Sequence, residues 1–106
     1  MSEELDYDAL KRIFEAKTYT LTDHASRRAV ERDIDAFEIE EAVLSGAVIE
    51  DYPDDKYSPS CLILGRTKTG RILHVQVCYP PKVRVITVYV PSFGEWETDW
   101  KTRKTT

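Results

Sequence analysis

Apolar and polar positions change period once along this chain, near Gly46. Before it the repeat is helical. In LDYDALKRIFEAK, residues Leu5, Ala9, Leu10, Ile13 and Phe14 recur at three- and four-residue steps, which predicts an amphipathic first helix. TYTLT is short and β-branched, and reads as a connector or a brief strand. Thr22 or Asp23 is placed to cap a second helix running from Asp23 to about Asp33, with Ala25, Ala29 and Val30 turned inward and Ile34 ending it. Asp35-Ala-Phe-Glu38 has the form of a capping box and opens a third helix whose apolar positions are Phe37, Ile39, Ala42, Val43 and Leu44. Gly46 follows, where a left-handed C-terminal cap is expected.

After Gly46 the period drops to two. AVIEDY, CLILGRT, RILHVQVCY and VRVITVYV predict four strands. TKTG is a tight-turn sequence and Pro80-Pro81-Lys82 a short connection, so consecutive strands are expected to pair antiparallel. DDKYSPS is a polar loop, and Pro91 ends the last strand. In SFGEWETDWKTRK, Trp96 and Trp100 lie four apart, so a short C-terminal helix or tail would lay both indoles on the sheet. The expectation is an α+β fold: N-terminal helices on one face of a four-stranded antiparallel sheet.

A length of 106 residues suits a single domain, 1–106, and 42% hydrophobic residues are enough for one core. No apolar run approaches the roughly 20 residues that span a bilayer. The acidic start MSEELDYDAL lacks the basic and then apolar order of a signal peptide, so a soluble cytoplasmic protein is expected. Cys61 and Cys78 have neither zinc-site spacing nor the density of a disulfide scaffold, and read as buried thiols. The net charge of −4 runs against polyanion binding by bulk charge, so any such site has to be local.

Three groups have chemistry to offer. His24, Arg28 and Arg32 lie at four-residue intervals and drift only about 40° per step, forming a row down one side of the second helix. Such a row is ordinarily a solvated face, with Arg28–Glu31 and Arg32–Asp35 as weak pairs. A histidine in the first turn, however, faces the positive end of the helix dipole, which disfavours imidazolium and suits a base. His74 sits mid-strand in ILHVQV. Alternation puts it with Ile72, Gln76 and Cys78 on one face, and Leu73, Val75 and Val77 on the core face. Thr87 and Tyr89 share a face of the following strand, opposite Arg84, Ile86 and Val88, and are expected beside His74. No residues have metal-ligand spacing, and the glycines form no phosphate loop.

The order of these elements resembles the bacterial family catalogued as domain of unknown function 4258. The likeness is carried by T-x-H-A-x-x-R-x-x-x-R-x-I (Thr22, His24, Ala25, Arg28, Arg32, Ile34), VIEDYPDD, the LILG strand, LHV and ITVYVPSFGEWETDWKTRK, and covers roughly residues 19 to 103. Asp33 stands where many relatives have glycine. The family looks like a branch of the RelE-type toxins, so the resemblance implies a RelE-like fold, metal-free endoribonuclease activity in a type II toxin–antitoxin system, an RNA substrate, no cofactor, and a small zinc-finger or helix-turn-helix antitoxin as partner. On that reading His24 and His74 form the acid–base pair, and Arg28, with Arg32, holds the phosphate. Tyr89 orients a histidine or stacks on a base, and Thr87 lines the substrate site. The competing reading is a non-catalytic domain that binds a small antitoxin-like protein through the same polar face. A helix-turn-helix DNA reader ranks below both, because EIEEAVLSG is acidic where groove insertion needs basic and amide side chains.

Overall fold

The computed structural model describes residues 4–105. It contains three helices, α1 (Tyr7–Ala16), α2 (Asp23–Glu31) and α3 (Ala36–Ser45), and five strands, β1 (Thr20–Leu21), β2 (Ala47–Tyr52), β3 (Ser60–Arg66), β4 (Ile72–Cys78) and β5 (Arg84–Tyr89). Each helix begins where a side chain can satisfy a free amide. Asp6 caps α1, Thr22 accepts from Ala25 at 3.1 Å to start α2, and Asp35 and Glu38 complete both bonds of the capping box of α3.

The α+β arrangement agrees with the sequence pattern, but the sheet has five strands rather than four, in the order β1-β5-β4-β3-β2. The extra strand is Thr20–Leu21, which lies parallel to β5 and is fixed by backbone bonds from Thr20 to Val83 and from Thr22 to Val85. Two residues are too few to show an alternation. The remaining pairings are antiparallel.

One face of the sheet carries the core. Cys61, Ile63, Leu73, Val75, Val77, Val85 and Val88 pack with Leu10, Phe14, Ala25, Ala29, Ile39, Ala42 and Val43 from the helices. Cys61 and Cys78 are buried free thiols. Val30, expected inward, is 82% exposed and Phe37 is 68% exposed, because the sheet is met by the alanine stripe of α2 and by the Ile39–Val43 side of α3. The close approach of α3 requires glycine. A Cβ on Gly65 would lie 1.8 Å from the Ala42 carbonyl oxygen, and one on Gly46 would lie 2.3 Å from that of Leu64. Gly46 is therefore needed for space. Its φ of −96° is not the left-handed cap that was expected. Between α2 and α3 the left-handed position is Asp33, at φ 53°, where the family resemblance leads one to expect glycine.

Two bulges set what the other face presents. Ile49 has no partner between Val48 and Glu50, and Ile86 has none between Val85 and Thr87. The second shifts the phase of β5, so that Val85 and Val88 both reach the core, whereas simple alternation grouped Arg84, Ile86 and Val88. The open face then holds Glu50, Tyr52, Leu62, His74, Gln76, Thr87 and Tyr89. The C-terminal segment lies across it without forming a helix. Trp96 bridges to Arg103, while Asp99 accepts from the amides of Lys101 and Thr102 and from the Thr102 hydroxyl. Those local bonds compete with helical ones and hold the segment as a folded-back tail.

Candidate functional site: a polar cleft on the open sheet face

A fully buried imidazole anchors the site. His74 is paired directly with Tyr89 in the β4–β5 ladder. Its Nδ1 lies 3.1 Å from the Tyr89 hydroxyl and its Nε2 lies 2.5 Å from the Trp100 carbonyl oxygen. The Trp96 ring meets it edge-on at 4.4 Å. A carbonyl only accepts, so Nε2 carries the proton. Burial pushes the His74 pKa down, against the raising effect of the Trp100 hydrogen bond, and leaves the ring neutral. Nδ1 therefore accepts, and Tyr89 donates. Burial pushes the Tyr89 phenol up to about 12, so it stays protonated.

Above this pair is a cleft of about 470 Å³, walled by Tyr89 and Gln76 from the sheet, Arg32 from the end of α2, and Ser92, Glu95, Trp96 and Arg103 from the C-terminal segment. Its two guanidinium groups differ. Arg103 donates to both oxygens of Glu50, at 2.8 and 3.0 Å, and lies 4.6 Å over the Trp96 ring. Its hydrogen bonds to Glu50 push its pKa up and hold the Glu50 carboxyl below its ordinary value; Tyr52 also donates to that carboxylate. Arg32 instead donates to the Val88 carbonyl at 3.0 Å, across the edge of β5, and pairs with no carboxylate among the described residues. It thus makes no salt bridge among these residues, although Glu95 lines the same cleft, and four of its five N–H donors are left for other acceptors.

Arg32 is placed by a residue the sequence did not single out. Arg71, just before β4, donates to the Arg32 carbonyl at 2.7 Å, the Asp33 carbonyl at 2.6 Å and both oxygens of Glu38 at 3.1 Å. One fork thus ties the left-handed turn between α2 and α3 to the β3–β4 hairpin. Arg103 and Glu50, which close one side of the cleft, were also missed. A lone arginine in a polar tail gives no sequence signal, and its partner lies 53 positions away.

The expected residues separate into two groups. His74, Tyr89 and Arg32 come together at the cleft, and Thr87 sits opposite Gln76 on the same face, half-buried, outside the cleft lining. His24 and Arg28 do not join them. His24 is exposed on α2, in the helical layer, and Arg28 is paired with Glu31 at 3.0 Å. His24 thus lies outside the cleft lining, whereas His74 is buried against Trp96 with both nitrogens engaged. Arg32, at the end of α2, lines the cleft, and His24, in its first turn, does not. Among the described residues no group of three or more histidine, cysteine or acidic side chains is placed to hold a metal ion, and no helix is long and apolar enough to cross a membrane.

Fold and site together define a small α+β domain with a polar, arginine-lined cleft on the face of a mixed sheet opposite the helical core. The chain belongs to the family described as Domain of unknown function (DUF4258), whose model matches residues 21–90. No curated protein and no solved structure matches the chain.

Proposed function

We propose that this domain is a RelE-like, metal-free endoribonuclease, the toxin of a type II toxin–antitoxin pair, working at the open-face cleft. The observation that carries this reading is the pairing of a cleft-facing Tyr89 hydroxyl with a buried, neutral His74, beside the Arg32 guanidinium. A phenol held near pKa 12 cannot act as a phenolate at neutral pH. It can pass a proton: the ribose 2′-hydroxyl gives its proton to the Tyr89 oxygen as the Tyr89 proton moves to Nδ1 of His74. The 2′-oxygen then attacks phosphorus and the bond to the 5′-oxygen breaks; that oxygen takes a proton from water, and the hydroxide left is neutralised as the His74 proton returns through the Tyr89 hydroxyl. The products are a 2′,3′-cyclic phosphate and a 5′-hydroxyl. Arg32 receives the charge that builds on the phosphate, where donors fixed in advance are most effective. His74 acts through Tyr89 and never meets substrate.

Incubation of the purified protein with a single-stranded RNA in the presence of a chelator tests this directly. Wild type is expected to release fragments with 5′-hydroxyl ends, and Arg32→Ala to release them at least about a hundredfold more slowly. Intact RNA with wild type contradicts the reading.

A non-catalytic binding role is favoured by one separate feature. Between α3 and the β3–β4 turn lies a hollow of about 610 Å³ whose apolar wall is Phe37 and Leu44, with Arg66 and Lys68 at its rim. A small zinc-finger or helix-turn-helix antitoxin seated there is compatible with either role. A stable complex with such a partner, and no RNA cleavage by the free protein, would select the binding reading.

A further inference from the structure

The C-terminal segment bears two costs that the fold alone does not explain. Trp100 holds a φ of 62°, a conformation that bulky L-residues rarely adopt. Trp96 buries its indole N–H with no acceptor among the described residues. Strain of this kind persists where something else is gained. In the same segment the amides of Glu95 and Trp96 both donate to the Ser92 carbonyl, at 3.2 and 3.0 Å, closing a turn that leaves Phe93 60% exposed. The Phe93 ring centroid lies 4.5 Å from that of Trp100, with the planes tilted by 40°. Ser92 and Glu95 of this turn wall the cleft that Arg32 rims.

An isolated exposed phenylalanine needs no explanation. Two rings in contact, one of them carried on the turn whose Ser92 and Glu95 line the same cleft as Arg32, form a different arrangement. We propose that Phe93, supported by Trp100, is a stacking platform for one base of a single-stranded RNA whose phosphate rests on Arg32, so that unpaired RNA is the substrate class. This rests on the nuclease reading of the cleft. The chemistry of the turn suits a base better than a broad protein face: Phe93 is flanked in the chain by Ser92, Gly94 and Glu95, which carry polar atoms or no side chain, and its aromatic partner among the described residues is the single ring of Trp100. An unpaired base has a free π-face to offer, whereas bases in a duplex are stacked on each other. Trp100 also holds the platform in step with the reacting pair, since its carbonyl accepts the His74 Nε2 proton at 2.5 Å.

The test uses the full chain and a short 2′-O-methyl RNA, which cannot be cleaved, carrying 2-aminopurine. Wild type is expected to bind it with quenching of the 2-aminopurine fluorescence. Phe93→Ala, an exposed change checked for folding by circular dichroism, weakens binding about tenfold and removes the quenching, and Phe93→Trp restores both. Annealing the probe to its complement abolishes wild-type binding. Equal affinity of wild type and Phe93→Ala, equal affinity for the duplex, or no binding by wild type overturns the platform. Because the probe is uncleavable, the two proposals fail separately: a wild type that stacks the probe but leaves ordinary RNA intact loses only the nuclease reading, and one that cleaves RNA with no dependence on Phe93 loses only the platform.

Discussion

His74 shows how a single side chain can be legible in a sequence and still be misread. Its placement on a strand, on the face opposite Leu73, Val75 and Val77, follows from alternation, whereas its pairing with Tyr89, though expected, is fixed only by the β4–β5 register. What alternation cannot convey is that a tail more than twenty residues later covers that face, so that the ring is buried with a carbonyl on one nitrogen and a phenol on the other. Burial lowers its pKa from the ordinary 6.5, so the folded protein resists a proton that the unfolded chain accepts. The sign follows: stability is complete above about pH 6.5 and is lost as pH falls from there towards the depressed folded value. The urea midpoint of wild type should therefore drop between pH 7.5 and 5.5. His74→Gln, compared at the same two pH values, should lose that part of the slope. A wild-type midpoint that does not change over this window would mean that the ring is not buried in its neutral form.

At the scale of elements, the helices and the four longer strands could be read from period and capping residues, because those signals are local. The short parallel strand, the two bulges and the role of Gly46 could not, because each depends on what another part of the chain brings alongside. Ile86 is a clear instance. A single unpaired residue changes which of its neighbours face the core, and only the pairing with β4 reveals it. Arg71 belongs to the same class, since it connects the α2–α3 turn to the β3–β4 hairpin across 38 and 39 positions. Removing it takes the Arg71 donors from two carbonyls and leaves the Glu38 carboxylate with only the Asp35 amide. Arg71→Ala should destabilise the fold by about 2 kcal/mol in chemical denaturation and slow RNA cleavage further by loosening Arg32. Arg71→Lys should recover only part of the stability, because an ammonium cannot fork between three acceptors. Full recovery by lysine would reduce the contact to simple charge.

Across the whole molecule the two faces of the sheet have different tasks. The helical face holds the core, while His24 is exposed on α2 and Arg28 is paired with Glu31. The open face, covered in part by the C-terminal segment, holds the buried histidine, the phenol and the Arg32 guanidinium. This division fits a net charge of −4: the proposed anion site is one local cleft and does not call for a basic surface over the whole protein. It also reverses the weight that the sequence motif gave to its first histidine. The most direct test compares cleavage of one RNA by Tyr89→Phe and His24→Ala, each confirmed to be folded. The account predicts that Tyr89→Phe loses about 10²–10⁴-fold in rate while His24→Ala stays close to wild type. Loss of activity in His24→Ala, with Tyr89→Phe unimpaired, would place the chemistry on the helical face and contradict it.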